Sequence, residues 1–558
     1  YWVIGGRVDW TSFRSNRIGR RIGLPGYSFE RRRCWKNAGR LAIQNPVTEV
    51  SSKIDQIDQW GYIPSWSRSL RKAPHIDSLS GENWLIFANG NSAVDTAIVD
   101  ALTTRGAVVH QVYPNGSSPS STDGNTTFID PMASEAYVSL LGNLATRECY
   151  PDRILFLWSL SGETKEGDTD AGSAYYPALY LSQALATQSC LAPLMVWWVT
   201  DRTLQVGGEE VWPIKSTLIG PAMVLSQENG QIASRIIDTD RRNNVSIAQS
   251  ILAEVVTRNP DPNFLVALRG ENRWIQEYVP ASIEPVSAWG ESGFRQGGVY
   301  LIIGGLGRIG VVLARRLAEY GAKLVISSRM DVPARERWST LVNDPNTESQ
   351  TVNTIKSLIA LEEAGAEVLA LKCDIGRYDD VEHLISTAVE CFGDINGILH
   401  LAGAADLRYL PRMTDAVSES EFRPKITGLL NLEKAVGSIA ECKKLDFVVM
   451  FSSLASILGG YGMTAYTAAN RFMDTFTQAN ARRHGVRWFC VNWDDWDFEY
   501  TKEQVAAYQQ TAAQFSMTPA EGVEALERII ARPDPLQILV TTRPMESRVR
   551  QWLHQSTQ

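Results

Sequence analysis

The sequence lacks the signals that would take it out of the ordinary globular class. No apolar run near its start has the form of a secretory leader, and no stretch of about 18 apolar residues is present to span a membrane. Its seven cysteines (Cys34, Cys149, Cys190, Cys373, Cys391, Cys442 and Cys490) are scattered, with no Cys-x-x-Cys pair. An odd, dispersed set argues against a disulfide framework or a zinc site and fits a reducing, cytoplasmic setting, so no metal is expected. Basic residues are not in excess: 54 Lys and Arg stand against 62 Asp and Glu, a formal charge of −8. That argues against a general nucleic-acid or membrane binder. No short-period repeat runs through the chain. The first residue is Tyr1 rather than an initiator Met, as in a fragment or a processed product.

What is present is a globular composition, 44% apolar, in a chain of 558 residues. That length predicts two or three folded units. Residues 1–58 read as a linker and tether. There Arg14, Arg17, Arg20, Arg21 and Arg31 to Arg33 interleave with Tyr27, Phe29 and Trp35. This is the pattern of a nucleic-acid patch, but in an acidic chain arginine stems and aromatics packing on a neighbouring domain are the better reading.

Residues 59–296 alternate β-type runs ("NWLIFA", "AVVHQVY", "RILFLWSL", "PLMVWWVT") with amphipathic stretches, which predicts a parallel sheet with helical crossovers. After "LIFA" comes "NGNSA", Asn89 to Ala93, where a dinucleotide fold carries its glycines. Without that loop the backbone cannot approach a diphosphate, so this half is expected to be structural, a truncated Rossmann-like subdomain. Residues 297–552 show six strands separated by helices, from "VYLIIGG" to "RWFCVNW", and predict a catalytic, doubly wound parallel sheet. Residues 553–558 read as the start of another linker.

The strongest local motif is "GGLGRIG", Gly304 to Gly310, directly after a strand and at the start of a helix pattern. Gly305, Gly307 and Gly310 hold the G-x-G-x-x-G spacing, which lets backbone N–H groups and the helix N-terminus meet a diphosphate. At the end of the second strand stand Ser327, Ser328 and Arg329. An acidic residue there would bond a ribose 2′-hydroxyl, whereas Arg329 can pair with a 2′-phosphate, which favours NADPH. Asp331, two residues on, weighs the other way. Asp374 ends the third strand, where it can cap the turn or meet the adenine edge.

A second constellation carries the chemistry. Strand "FVVMFSS" ends at Ser453, Tyr466 follows thirteen residues later, and Asn470 shares its helical face at i+4. Lys425 lies upstream in "FRPKITGLLNL". Reducing a ketone by hydride transfer makes an oxyanion, which needs an acid. A tyrosine at its ordinary pKa of about 10 is a poor one unless an ammonium favours its ionised form. Ser453 can polarise the carbonyl, and Asn470 can hold Lys425 or a water.

On these residues the second half resembles the short-chain dehydrogenase/reductase superfamily. Most of its members carry Tyr-x-x-x-Lys, whereas here Asn470 stands at the lysine position and Lys425 appears upstream. That exchange is the mark of ketoreductase domains in polyketide and fatty acid synthases. The resemblance extends to "LPGYSFERRRCW", similar to a post-acyltransferase linker, and to "GYIPSW" and "VNWDDW". It implies Tyr466 as acid, Ser453 as carbonyl donor, and Lys425 with Asn470 in support. It implies NADPH held by Gly304, Gly305, Gly307, Arg308, Ile309 and Gly310, by Ser328 and Arg329, and by Asp374, Ile375, Ala402 and Gly403. It further implies a β-ketoacyl substrate on an acyl carrier protein, with an acyltransferase upstream and the carrier downstream. Asp497–Phe515 is expected to be a substrate lid. Ala405-Asp406-Leu407 stands where one subclass has Leu-Asp-Asp, and Leu458 stands where another has a tryptophan eight residues before the tyrosine; the missing final aspartate tilts the expectation toward an L-hydroxy product. The alternative is a catalytically silent, ketoreductase-like scaffold.

Overall fold

The computed structural model describes residues 53–553 apart from short internal stretches, the longest being 161–171 and 499–514. The expected linker before residue 53, the tail from 554 and most of the expected lid lie outside the described residues.

The strands fall into two series. The first is β1 (Gly61–Ser69), β2 (Asn83–Phe87), β3 (Val108–Pro114), β4 (Thr126–Ile129), β5 (Arg153–Ser159), β6 (Leu194–Asp201), β7 (Ile232–Thr239), β8 (Leu265–Arg269) and β9 (Asn272–Pro280). The second is β10 (Val299–Ile303), β11 (Lys323–Ser328), β12 (Glu367–Lys372), β13 (Gly397–His400), β14 (Phe447–Ser453), β15 (Arg487–Trp493) and β16 (Gln537–Val540). All sixteen join one sheet in the order β12-β11-β10-β13-β14-β15-β16-β1-β9-β8-β7-β6-β5-β2-β3-β4.

Each half contains seven parallel strands in the same order, third-second-first-fourth-fifth-sixth-seventh. The truncation expected of the first half therefore does not extend to its sheet. The halves meet through β1, which runs antiparallel to β9 from Tyr62 to Ser69 and to β16 at Gly61 and Tyr62 only. Pro64 sits beyond the end of the β16 pairing, where a missing N–H costs the sheet least.

Burial on both faces explains the continuous apolar runs. All five residues of β10 are buried. In β6, consecutive Trp197 and Trp198 are fully buried on opposite faces of the sheet, as period-two geometry requires. Trp198 packs on Phe156 at 5.0 Å between ring centres. Each such ring removes on the order of 200 Å² from water. Among the described residues no helix is long and apolar enough to cross a membrane.

The turn after β2 is closed by the chain's own side chains. Ser92 caps the helix Ala93–Thr104, and the Asp95 carboxylate accepts the Asn89 N–H at 2.6 Å. Burial pushes Asp95 up to about 6, against the pull of the backbone and Ser92 hydrogen bonds. An anion approaching this helix end meets an acidic side chain already in place, which gives the missing glycine loop of this half a structural counterpart.

Candidate active site

The glycine turn after β10 is built by close approach. Gly304 has φ +80°, and a Cβ there would stand 3.0 Å from the backbone of Ala402 at the end of the neighbouring strand. Gly305 donates its N–H to Ser327 O at 3.2 Å, tying the turn to β11. A Cβ on Gly310 would lie 2.6 Å from the Cα and O of Gly305, so helix and turn touch backbone to backbone. Gly307 begins the helix Arg308–Ala318 with no side-chain cap and no acidic residue in the first turn. A bare turn leading to an uncapped helix N-terminus fits the diphosphate of a dinucleotide.

Arg329 follows β11 and is exposed. With Lys372, Asp374, Arg377, Asp379, Asp380 and His383 it lines a shallow hollow. Ser328 Oγ accepts the Met330 N–H at 3.1 Å, which shapes the bend carrying Arg329. The Asp374 carboxylate is engaged by Arg423 at 2.7 Å and by the Gly376 N–H at 3.0 Å. The Arg423 guanidinium holds it below the usual carboxylate range. Its side chain is thus spent on the turn, and Ile375, beside it, is buried in the core.

The glycine turn opens into a cleft of about 740 Å³, lined by Gly307, Gly403, Lys425, Ser453, Tyr466 and Trp493 among others. Ser453 is the last residue of β14, and its Oγ accepts the Ala455 N–H at 3.1 Å. With that lone pair used, its own O–H is left to donate elsewhere. Tyr466 lies in the first turn of the helix Thr464–Asn480. Burial pushes its phenol up, and the Ser453 and Asn470 side chains pull the other way.

Lys425 sits in a widened turn, Arg423–Thr427, where the Gly428 N–H reaches back five residues to Arg423 O. Such turns are frequent at functional sites. Only 4% of Lys425 is exposed. Its Nζ donates to Phe451 O at 3.0 Å and lies 5.7 Å from the centre of the Tyr466 ring. A Cβ on Gly403 would stand 3.0 Å from Lys425 Cε, so the glycine makes room for this side chain. Burial pushes the ammonium down to about 8, with Asp474 and Glu421 opposing it.

From the sequence alone, the ammonium is expected to lower the Tyr466 pKa. In this geometry Lys425 turns to a backbone carbonyl, and burial of the phenol wins. Asn470 is fully buried; its Nδ2 donates to Tyr466 O at 2.8 Å, and its Oδ1 has no hydrogen-bond partner. That orphaned acceptor suits the role expected of it, holding an ammonium or a water.

Two residues escaped the sequence reading. Asp474 accepts from Ser452 at 2.7 Å, Ser456 at 2.6 Å and Asn492 at 2.9 Å, locking β14, β15 and the tyrosine helix together. Its place at i+8 from Tyr466 was a usable signal, since Tyr466, Asn470 and Asp474 continue one helical face. Glu421, buried and pushed up to about 7 by that burial, accepts the Asp406 N–H at 2.7 Å. Nothing in the local sequence marks it.

Residues 298–497 match the family model described as KR domain. That match lies within the second half of the chain. Residues 82–259 match a model described as Beta-ketoacyl synthase-like, N-terminal. The chain is 30% identical over 338 residues to a phenolphthiocerol/phthiocerol polyketide synthase of Mycobacterium tuberculosis, covering 60% of this chain and 17% of that protein. It is 24% identical over 542 residues to polyketide synthase GfsA of Streptomyces halstedii, covering 94% and 6%. The chain thus spans a small part of the length of these relatives. An N-terminal ketoreductase from the macrolactin assembly line shares the fold at a TM-score of 0.69 and 22% identity, over 91% of this chain and 95% of that one. The first ketoreductase of the tylosin synthase does so at 0.68 and 22%, over 90% and 96%. Residues 298–497 are thus similar to ketoreductase domains of polyketide synthases, and the solved ketoreductases share the Rossmann-like fold of this chain.

Proposed function

We propose that the chain reduces the β-keto group of an acyl thioester, presented on an acyl carrier protein, with NADPH as reductant. The observation that carries this reading is one continuous cleft. It runs from the glycine turn to Ser453, Tyr466 and Lys425, so that a dinucleotide on the turn and a ketone at Tyr466 share a wall. When bound, the reduced nicotinamide supplies the hydride.

The side chains supply the rest. Ser453, its acceptor side already used, donates to the ketone oxygen and holds it beside Tyr466. Tyr466, kept protonated by burial, gives the oxygen its proton. The Lys425 ammonium stabilises the charge left on the phenolate, and Asn470 Oδ1 orients a water through which the proton is restored. Arg329 selects the 2′-phosphate. A silent scaffold needs none of this, and neither the glycine turn nor the tyrosine is degraded here.

The test is to follow reduced-nicotinamide absorbance with a simple β-ketoacyl thioester and either NADPH or NADH. NADPH is expected to be consumed, with NADH at least about tenfold slower, and Arg329→Ser to remove most of that preference. Absence of NADPH binding would overturn the reading and favour the scaffold. Chiral analysis of the product tests the expected L-hydroxy outcome.

The turn itself gives a second prediction. Gly310→Ala forces a methyl against the Gly305 backbone, and relieving it means moving the turn away from the helix. NADPH affinity measured by nicotinamide fluorescence is expected to fall by about 10- to 100-fold, the scale of overpacking one methyl group. An unchanged affinity would remove the turn from the binding site.

A further inference from the structure

The first half of the chain reaches into the catalytic half at the mouth of the cleft. The helix Ile219–Glu228 lies directly on the tyrosine helix: a Cβ on Gly220 would stand 2.4 Å from Thr464 O. Its last two residues continue the contact. Gln227 accepts the Gly460 N–H at 2.8 Å and donates to Leu458 O at 2.7 Å. Glu228 Oε1 accepts the Gly462 N–H at 2.8 Å, and Oε2 accepts the Leu410 N–H at 2.7 Å.

The two segments so held are the loop Gly459–Met463, which leads into Tyr466, and the loop 404–410, whose Ala404 and Ala405 line the cleft. They also touch each other, through the Arg408 N–H on Gly462 O at 3.0 Å. Both present exposed apolar side chains: Leu407 is 55% exposed, Tyr409 60% and Tyr461 37%.

We propose that Glu228 is a positioning residue that fixes these two loops as the walls of the substrate entrance, and so sets thioester affinity and which face of the ketone is reduced. The proposal rests on the reductase reading above. Ser453 and Tyr466 fix the ketone oxygen, so the two faces of the carbonyl are exchanged by swapping the directions in which the acyl chain and thioester leave it. Loops on either side of the tyrosine decide which direction is open. A carboxylate suits the task because both of its oxygens accept. A glutamine in its place turns an N–H₂ toward one of the two backbone N–H groups and loses that bond.

The experiment compares wild type, Glu228→Gln and Glu228→Ala. It measures thioester KM and kcat, product enantiomeric purity, NADPH affinity, and hydrogen exchange at the Leu410 and Gly462 amides. In Glu228→Gln exchange is expected to rise at one or both of these amides, by about tenfold or more. KM should rise about tenfold and enantiomeric purity should fall, with NADPH affinity within about twofold of wild type. Glu228→Ala should do all of this more strongly at both amides. Unchanged exchange at both amides overturns the clamp. Unchanged KM and enantiomeric purity overturn its role in the entrance. A loss of NADPH affinity parallel to the KM change reduces Glu228 to a general structural residue and also overturns the proposal. If wild type binds NADPH but reduces neither a simple nor a carrier-bound thioester, the reductase reading fails and takes the entrance role with it, while exchange still decides the clamp.

Discussion

Replacing Tyr466 with phenylalanine is expected to lower kcat for β-ketoacyl reduction by about three orders of magnitude and to leave NADPH affinity within about twofold. The change removes one hydroxyl and little else. The ring keeps its place over Lys425, and Ser453 Oγ keeps its bond from the Ala455 N–H. What is lost is the proton donor beside the ketone oxygen, and a positioned general acid contributes roughly 10²- to 10⁴-fold. Ser453 alone can polarise the carbonyl but cannot leave it as an alcohol. Single-turnover measurement with saturating NADPH isolates this step from product release. A residual rate within tenfold of wild type would mean that the proton comes from elsewhere, and Tyr466 would lose its assigned role.

Much of this site could be read along the chain because its parts are local. The glycine turn occupies seven consecutive residues between a buried strand and an amphipathic helix. Ser453, Tyr466 and Asn470 are linked by a strand end and one helical turn. Lys425 is legible as a candidate ammonium, but a lysine in an ordinary helix pattern looks like surface, and only the fold reveals its 4% exposure. Three of the strands that the sequence does not announce have separate causes. In β7 the buried Ser234, Arg235, Asp238 and Thr239 break up the apolar run, and β16 is four residues long. In β1, Pro64 argues against a central strand, and only the short reach of β16 makes it tolerable. The contacts of Glu228 and Glu421 were not legible at all. Each accepts from a backbone N–H, and every residue but proline has one, so no pattern of residue types betrays the partner.

Replacing Lys425 with methionine is expected to act in two opposite directions, abolishing most of the activity while raising stability at neutral pH. The folded-state pKa of Lys425 is about 8, against 10.5 for an ordinary lysine. A lysine depressed in this way binds fewer protons folded than unfolded between those two values. Stability therefore rises with pH across that window, and the full penalty is felt below pH 8. A difference of about 2.5 pH units corresponds to roughly 3 kcal/mol, and the burial of the side chain leaves little solvent to discount it. Methionine is also unbranched and fills the same channel beside Gly403, but it abandons the Phe451 carbonyl, which costs about 1–3 kcal/mol. The net gain at pH 7 is then small, about 0–2 kcal/mol. The sharper observable is its pH dependence: the advantage of the variant should shrink by about 2–3 kcal/mol between pH 7 and pH 10, measured by denaturant unfolding of both proteins. Activity should fall by about 10²-fold or more, since the charge left on Tyr466 loses its counter-ion. A variant whose relative stability is flat across that range would mean that the ammonium is not penalised by burial. The cation under the tyrosine would then carry no stability cost for catalysis to offset.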